Sequence, residues 1–321
     1  MEHHGSESYW VEGEGLLTES AGGRTLMAAT TAPPFRFSRM GPSGAQKQLA
    51  EANRVKVGVA MTAGGGGPSG IPAGYTYLGQ FIDHDMTFDK TNVMLGTNVT
   101  PAQLLQARSP SLDLDALYGA GPLDPGSQQF YSDDRHLKTG TTIATPPDPA
   151  LAGFDLPRGQ GSTVAQKRKA VIPDHRNDEN LAVAQTHLAF VRFHNRVVDT
   201  LPAATPPAQR FALARELAIK HYQWMILTDF LPRICKKSVV DDVFANGRKA
   251  FEVGADPMTV PTMPIEFSVA AFRLGHSMIR GVYQWNRRFE NSTGIPGSLD
   301  LLFEFSATGG TLGGGQKLPS N

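Results

Sequence analysis

Three short segments carry the residues whose types and spacing could do chemistry. They are Gly79-Gln80-Phe81-Ile82-Asp83-His84-Asp85, then Arg176-Asn177-Asp178-Glu179-Asn180, then Arg273-Leu274-Gly275-His276. On a helix, Gln80, Asp83 and His84 share a sector about 100° wide, because residues three and four apart stack on one side. Asp85 is turned about 100° from His84 and points elsewhere. The first segment therefore offers an acid/base face and a separate carboxylate. In the second, Arg176 is a fixed cation of the kind that stabilises developing negative charge. In the third, His276 lies among Phe272, Leu274, Met278 and Ile279, and an imidazole on an apolar face needs a hydrogen-bond or metal partner. Gly275 leaves room for a flat ligand, and Arg273 is placed to pair with an acidic edge of it. Each segment alone also has a plain structural reading: a solvated histidine, a surface Arg176–Glu179 ion pair, a buried core histidine.

Other residues point to a cation. Ser109, Ser111, Asp113 and Asp115 alternate along the chain and offer an oxygen at every second position, as a hard ion such as Ca²⁺ prefers. The glycine and terminal glutamate of an EF-hand are missing, and an N-capping loop with exposed acids is the competing reading. His187 and His194 lie seven apart on one stripe, without the four-residue spacing of a zinc helix, and read as core or helix-contact histidines. His3 and His4 read as a polar tail. The sequons at Asn98 and Asn291 lack a secretory signal to accompany them.

These residues must be positioned by helices. In 181–201, Leu188, Val191, Asn195 and Val198 form one stripe, with Asn177 or Asp178 as cap. In 208–231, Phe211, Ala214, Leu217, Ala218, Trp224 and Met225 repeat the pattern up to Pro232. A helix over 265–283 would bury Phe267, Ala271, Leu274, Met278 and Val282. A short helix fits 71–90, and 91–170 reads as loop apart from a turn near 101–107. Residues 1–70, rich in Gly, Ser, Thr and Pro and closing on Gly64–Pro68, read as an irregular arm. The remainder, 71–321, forms the second unit and ends in a glycine-rich tail from Thr308. The fold is expected to be mainly α with long loops and little β, as 34 Gly and 23 Pro also suggest.

Composition excludes several functions. The 321 residues are 40% hydrophobic, enough for a sizeable core. Lys+Arg 30 balances Asp+Glu 30, and no basic run interleaves with aromatics, so nucleic acid is a poor partner. No apolar run is long enough to span a bilayer and no signal peptide is visible, which suggests a cytoplasmic protein or one secreted by a non-classical route. The single cysteine, Cys235, excludes an internal disulfide framework or thiolate cluster and reads as a buried inert thiol. Oligomeric state leaves no trace in the sequence.

The three segments, in this order and spacing over about 71–290, resemble the animal-type haem peroxidases of the peroxidase–cyclooxygenase superfamily. The resemblance implies a haem b cofactor, hydrogen peroxide as oxidant, and a halide or small organic reducing substrate. It matches His84 to the distal histidine, Arg176 to the distal arginine, and Gln80 to the glutamine of the distal pocket. His276 matches the proximal iron ligand, Arg273 the propionate-pairing arginine, and Asp83 with Glu179 the carboxylates ester-linked to haem. Asp85, Ser109, Ser111 (through its carbonyl), Asp113 and Asp115 match the calcium loop. Asn180 stands where a sulfonium-forming methionine would be, so that link cannot form. Arg273 stands where related fatty-acid dioxygenases place a radical tyrosine, which disfavours that alternative. Family members continue well beyond the proximal segment, so the chain is expected to be C-terminally incomplete, and a non-catalytic remnant is the other alternative.

Overall fold

The computed structural model describes residues 8–11, 15–20, 23–28, 35–141 and 153–304, with interruptions within 43–48, 64–68, 95–96, 255–258, 286–288 and 291–295. His3, His4, the Gly64–Pro68 run, the sequon at Asn291 and the tail from Thr308 lie outside the described residues.

The N-terminal region is less irregular than its composition suggests. Strands β1 (Ser8–Val11), β2 (Gly15–Ser20) and β3 (Gly23–Ala28) form an antiparallel sheet in sequence order. Tyr9 pairs with Leu17, and Thr18 with Thr25. Aromatic and β-branched residues there override the Gly and Ser count. Strand β4 (Arg36–Ser38) and helix α1 (Glu51–Thr62) follow.

Helix α2 (Gly74–Met86) carries the first chemical segment and α3 (Asp115–Tyr118) starts beyond the serine–aspartate loop. The short β5 (Gly140–Thr141), β6 (Phe154–Asp155) and α4 (Val164–Arg168) lead to a 3₁₀ turn, His175–Asp178. Two long helices then form the frame, α5 (Leu181–Thr200) and α6 (Pro207–Met225). Asn180 caps α5 by accepting a bond from the Val183 N–H at 3.0 Å, so the cap lies two to three residues later than Asn177 or Asp178. Past Met225 a π-helical turn, Ile226–Phe230, runs into α7 (Leu231–Ile234) and α8 (Lys237–Asn246). After β7 (Thr262–Pro264), which pairs in parallel with β4, comes α9 (Ile265–Val269). The chain closes with β8 (Val282–Tyr283), β9 (Gly297–Ser298) and α10 (Leu299–Glu304).

The main core lies where α2, α3, α5 and α6 meet. Phe81 and Ile82 pack against Leu117, Tyr118, Val183, Val191, Ile219 and Tyr222. Phe81 stacks on Phe190 with centroids 4.9 Å apart and meets the Tyr222 ring edge-on. Leu188, Val191 and Val198 are buried as their stripe predicts, and so are His187 and His194. His194 is held by the Tyr118 hydroxyl and the Arg135 carbonyl.

Three further expectations fail. Trp224, Leu217 and Leu274 are exposed. Cys235 is exposed, not buried. The single helix over 265–283 does not form: α9 ends at Ala270, whose φ of −129° and ψ of −71° leave the helical region, and Ala271–Met278 continues as a 3₁₀ helix. Ala271 and Val282 are consequently exposed as well.

Candidate functional site: two histidines on one cavity and a buried carboxylate triad

Helix α2 and the 3₁₀ helix 271–278 wall one cavity of about 270 Å³, near the lower end for small-molecule sites. Gln80, Asp83, His84, Glu179, Asn180, Arg273 and His276 all reach it. Tyr75, Tyr77, Phe230, Ile234, Phe272, Leu299 and Phe303 supply most of the remaining wall. Residues i and i+3 eclipse in a 3₁₀ helix, which puts Arg273 and His276 on the same edge. His276 is exposed at this wall rather than buried on an α-helix, and its ring has no hydrogen-bond partner among the described residues.

His84 is buried and its state is defined by its surroundings. Its Nδ1 lies 2.8 Å from Asn177 Oδ1. An amide oxygen only accepts, so Nδ1 carries the hydrogen and Nε2 is left as a lone pair. Burial pushes the imidazole pKa down to about 4, helped by the Arg176 charge and opposed by the Asn177 bond. His84 is therefore a neutral base at neutral pH. Glu179 Oε2 lies 3.9 Å from its Nε2. Gln80 is oriented between neighbours: its Oε1 accepts from Asn180 Nδ2 at 2.9 Å, and its Nε2 donates to Glu179 at 3.3 Å.

Arg176 is placed differently from a cation on the cavity wall. Its guanidinium donates to Asp174 through Nε (3.0 Å) and Nη2 (2.6 Å), to the Thr87 carbonyl (2.7 Å) and to the His84 carbonyl (2.8 Å). It lies over the Phe88 ring at 4.5 Å. Its donors thus brace the end of α2 from behind, and its charge acts on the cavity carboxylates Asp83 and Glu179 as well as on His84. Arg108 grips the same Asp174 carboxylate at 2.5 Å and lies 3.5 Å from Asp115. Arg273 and Asp83 pair with each other, Nη1 to Oδ2, at 2.7 Å. Asp174, Arg108 and the Asn177 bond to His84 escaped the sequence reading. The one signal for Asp174 is an acid two residues before an arginine.

Behind the cavity, Asp85, Asp113 and Asp115 converge with ligand oxygens within 4.8 Å of one another, all buried. Their burial removes the competing reading of an exposed capping loop. Asp85 accepts from the backbone N–H groups of Leu114 (3.1 Å) and Ala116 (3.4 Å), and so caps α3. Ser109 Oγ donates to Asp113 at 2.8 Å. The Ser111 carbonyl accepts from Gln223 Nε2 at 3.3 Å. Asp113 Oδ1 and Asp115 Oδ1 are buried with no hydrogen-bond donor among the described residues, Arg108 Nε standing 3.5 Å from the latter. Burial, reinforced by Asp113, pushes the Asp85 carboxyl up to about 7. Leu112 and Leu114 adopt left-handed φ of 53° and 60° to shape this loop, at about 1–2 kcal/mol each.

A helical frame thus holds two imidazoles on one apolar-walled cavity, with a carboxylate cluster behind one of them. The chain belongs to the animal haem peroxidase family, whose family model matches residues 77–308. It is 27% identical over 224 residues to thyroid peroxidase of Canis lupus familiaris, covering 64% of this chain and 23% of that protein. It is 29% identical over 200 residues to heme peroxidase 2 of Caenorhabditis elegans, covering 59% and 26%. A peroxidase-like protein of Margaritifera margaritifera is 30% identical over 113 residues, covering 34% and 14%. The chain thus spans about a quarter or less of these relatives' length. Among solved structures, peroxidase A of Dictyostelium discoideum superposes with a TM-score of 0.55 at 15% identity, covering 96% of this chain and 66% of that one. That likeness speaks to the fold alone, and the fold is mainly α as expected.

Proposed function

We propose that this chain binds haem between His84 and His276 and cleaves hydrogen peroxide, using the electrons of a small reducing substrate. The observation that carries the reading is that these two imidazoles, 192 positions apart in sequence, wall one cavity, one with a bare Nε2 and the other with no hydrogen-bond partner among the described residues. The donor set fits haem: an imidazole free to ligate, apolar and aromatic walls, and arginine and carboxylates at the edge. His276 would hold the iron and Arg273 a propionate, once released from Asp83. Ester attachment through Asp83 and Glu179 requires the same release for Asp83. When bound, haem supplies the redox-active iron that exchanges electrons with peroxide.

The chain's own residues manage the proton. His84 Nε2 takes it from the incoming peroxide and returns it to the departing oxygen, so that water rather than hydroxide leaves. Asn177 keeps the ring turned for this while both nitrogens are protonated. Gln80, oriented by Asn180 and Glu179, orders water or a small anion beside it. Arg176 fixes the His84 backbone and favours the neutral imidazole. Stopped-flow mixing of haem-loaded protein with peroxide is expected to show a fast spectral change that a phenolic or halide donor reverses. Oxygen uptake with linoleate and no response to peroxide would instead support a fatty-acid dioxygenase.

The triad, with Ser109 and the Ser111 carbonyl, is proposed to hold Ca²⁺. Arg108 and Arg215 offset part of the charge of the three buried carboxylates, and the remainder, with two oxygens that accept no hydrogen bond among the described residues, suits a bound cation. Chelation is expected to lower the melting temperature and Ca²⁺ to restore it, through a stabilisation of about 2.7 kcal/mol at a hundred times Kd. Asp113→Asn should abolish this Ca²⁺ response. A melting temperature indifferent to EGTA in the unsubstituted protein would contradict the site.

A further inference from the structure

His84 does not hold its ring orientation alone. Asn177, buried on the 3₁₀ turn, presents Oδ1 to His84 Nδ1 at 2.8 Å and Nδ2 to His187 Nδ1 at 3.0 Å. His187 lies on α5, is also buried, and packs edge-on against Phe81 with centroids 6.0 Å apart. An amide nitrogen only donates, so His187 Nδ1 must be bare, just as the amide oxygen requires a hydrogen on His84 Nδ1. Turning the amide over would reverse both demands. His84 would then carry its hydrogen on Nε2, and its cavity face would be a donor.

A pull toward that second arrangement is present. The Glu179 carboxylate, 3.9 Å from His84 Nε2, is on the side that attracts a hydrogen to that nitrogen. The arrangement that leaves Nε2 bare therefore needs an opposing anchor, and the bare Nδ1 of His187 is placed to be it. We propose that His187, which does not line the cavity, is a positioning residue. It pins the Asn177 amide and thereby decides which nitrogen of His84 carries the proton. The consequence for peroxide cleavage rests on the function proposed above; the assignment of the tautomer does not.

The test reads the tautomer directly, in the full chain without added haem. Long-range ¹H–¹⁵N spectra of ¹⁵N-histidine-labelled protein distinguish a protonated ring nitrogen from a bare one, and His84 is assigned by the signal lost in His84→Gln. In the unsubstituted chain His84 is expected to show a protonated Nδ1 and a bare Nε2. His187→Phe keeps a ring against Phe81 and removes the acceptor, and is expected to shift His84 toward the Nε2-protonated pattern. His187→Asn places Oδ1 at the same bond distance from the backbone as Nδ1 and is expected to restore the original pattern. An unchanged tautomer in His187→Phe overturns the proposal. So does a shift in His187→Asn equal to that in His187→Phe, since packing and not the acceptor would then be responsible. A failure to react with peroxide, with these spectra as expected, would sink the proposed activity and leave this inference standing.

Discussion

His84→Ala is expected to lower the second-order rate of the peroxide reaction by about a hundredfold to ten-thousandfold, the span usual for loss of a positioned acid/base group. That loss is equivalent to roughly 3–5 kcal/mol of barrier. The reason is local. Nε2 is the His84 ring nitrogen that the Asn177 bond leaves bare, and burial keeps it unprotonated with a pKa of about 4. Haem affinity should change little, because the proposed iron ligand is a different residue of the cavity lining, His276. The measurement is stopped-flow spectroscopy of haem-loaded protein against a peroxide series. A rate within threefold of the unsubstituted protein would remove His84 from the mechanism.

Asp174→Asn should be the most damaging isosteric change in the second segment. One carboxylate, 1% exposed, receives Arg176 through Nε and Nη2 and Arg108 through Nε and Nη2. An amide in its place turns an NH₂ toward a guanidinium, and leaves two half-buried cations with only Asp115, 3.5 Å from Arg108, beside them. Breaking such a pair costs about 3–5 kcal/mol, which lowers the melting temperature by roughly 10 °C for a domain of this size. Acid separates this from simple packing loss. Burial opposes ionisation of Asp174, but Arg176 and Arg108 outweigh it and hold the carboxyl well below the usual carboxylate range. Its contribution is therefore fully present above the unfolded-state pKa of about 3.9 and is lost as pH falls toward the folded-state value. Chemical denaturation between neutral pH and about pH 3 should show the gap between the two proteins closing in acid. A constant gap would mean that charge pairing is not what Asp174 contributes.

What was legible follows from spacing. The i, i+3, i+4 relation among Gln80, Asp83 and His84 puts all three on the cavity, and it turns Asp85 away to meet Asp113 and Asp115. The stripe of α5 is buried where its period says. What was not legible depends on partners far away in sequence. Asp174 is an ordinary acid until Arg108, 66 positions earlier, folds onto it. Asn177 reads as a cap until α2 and α5 bring a histidine to each side of its amide. Arg176 carries the expected charge, yet its donors are consumed by Asp174 and by two carbonyls of the α2 end, a competition no local pattern reveals. The break at Ala270 is of the same kind. Nothing between 265 and 283 forbids a continuous helix, but the chain must turn to set Arg273 against Asp83.

The central claim is that the imidazoles of residues 84 and 276 flank one haem. Haem titrated into the purified chain, followed by its Soret absorbance, is expected to saturate at one equivalent with the spectrum of histidine-ligated iron. His276→Ala should lose that spectrum, and added imidazole should restore it. A chain that leaves the haem spectrum as it is in buffer, or a His276→Ala spectrum identical to the parent, would contradict the account.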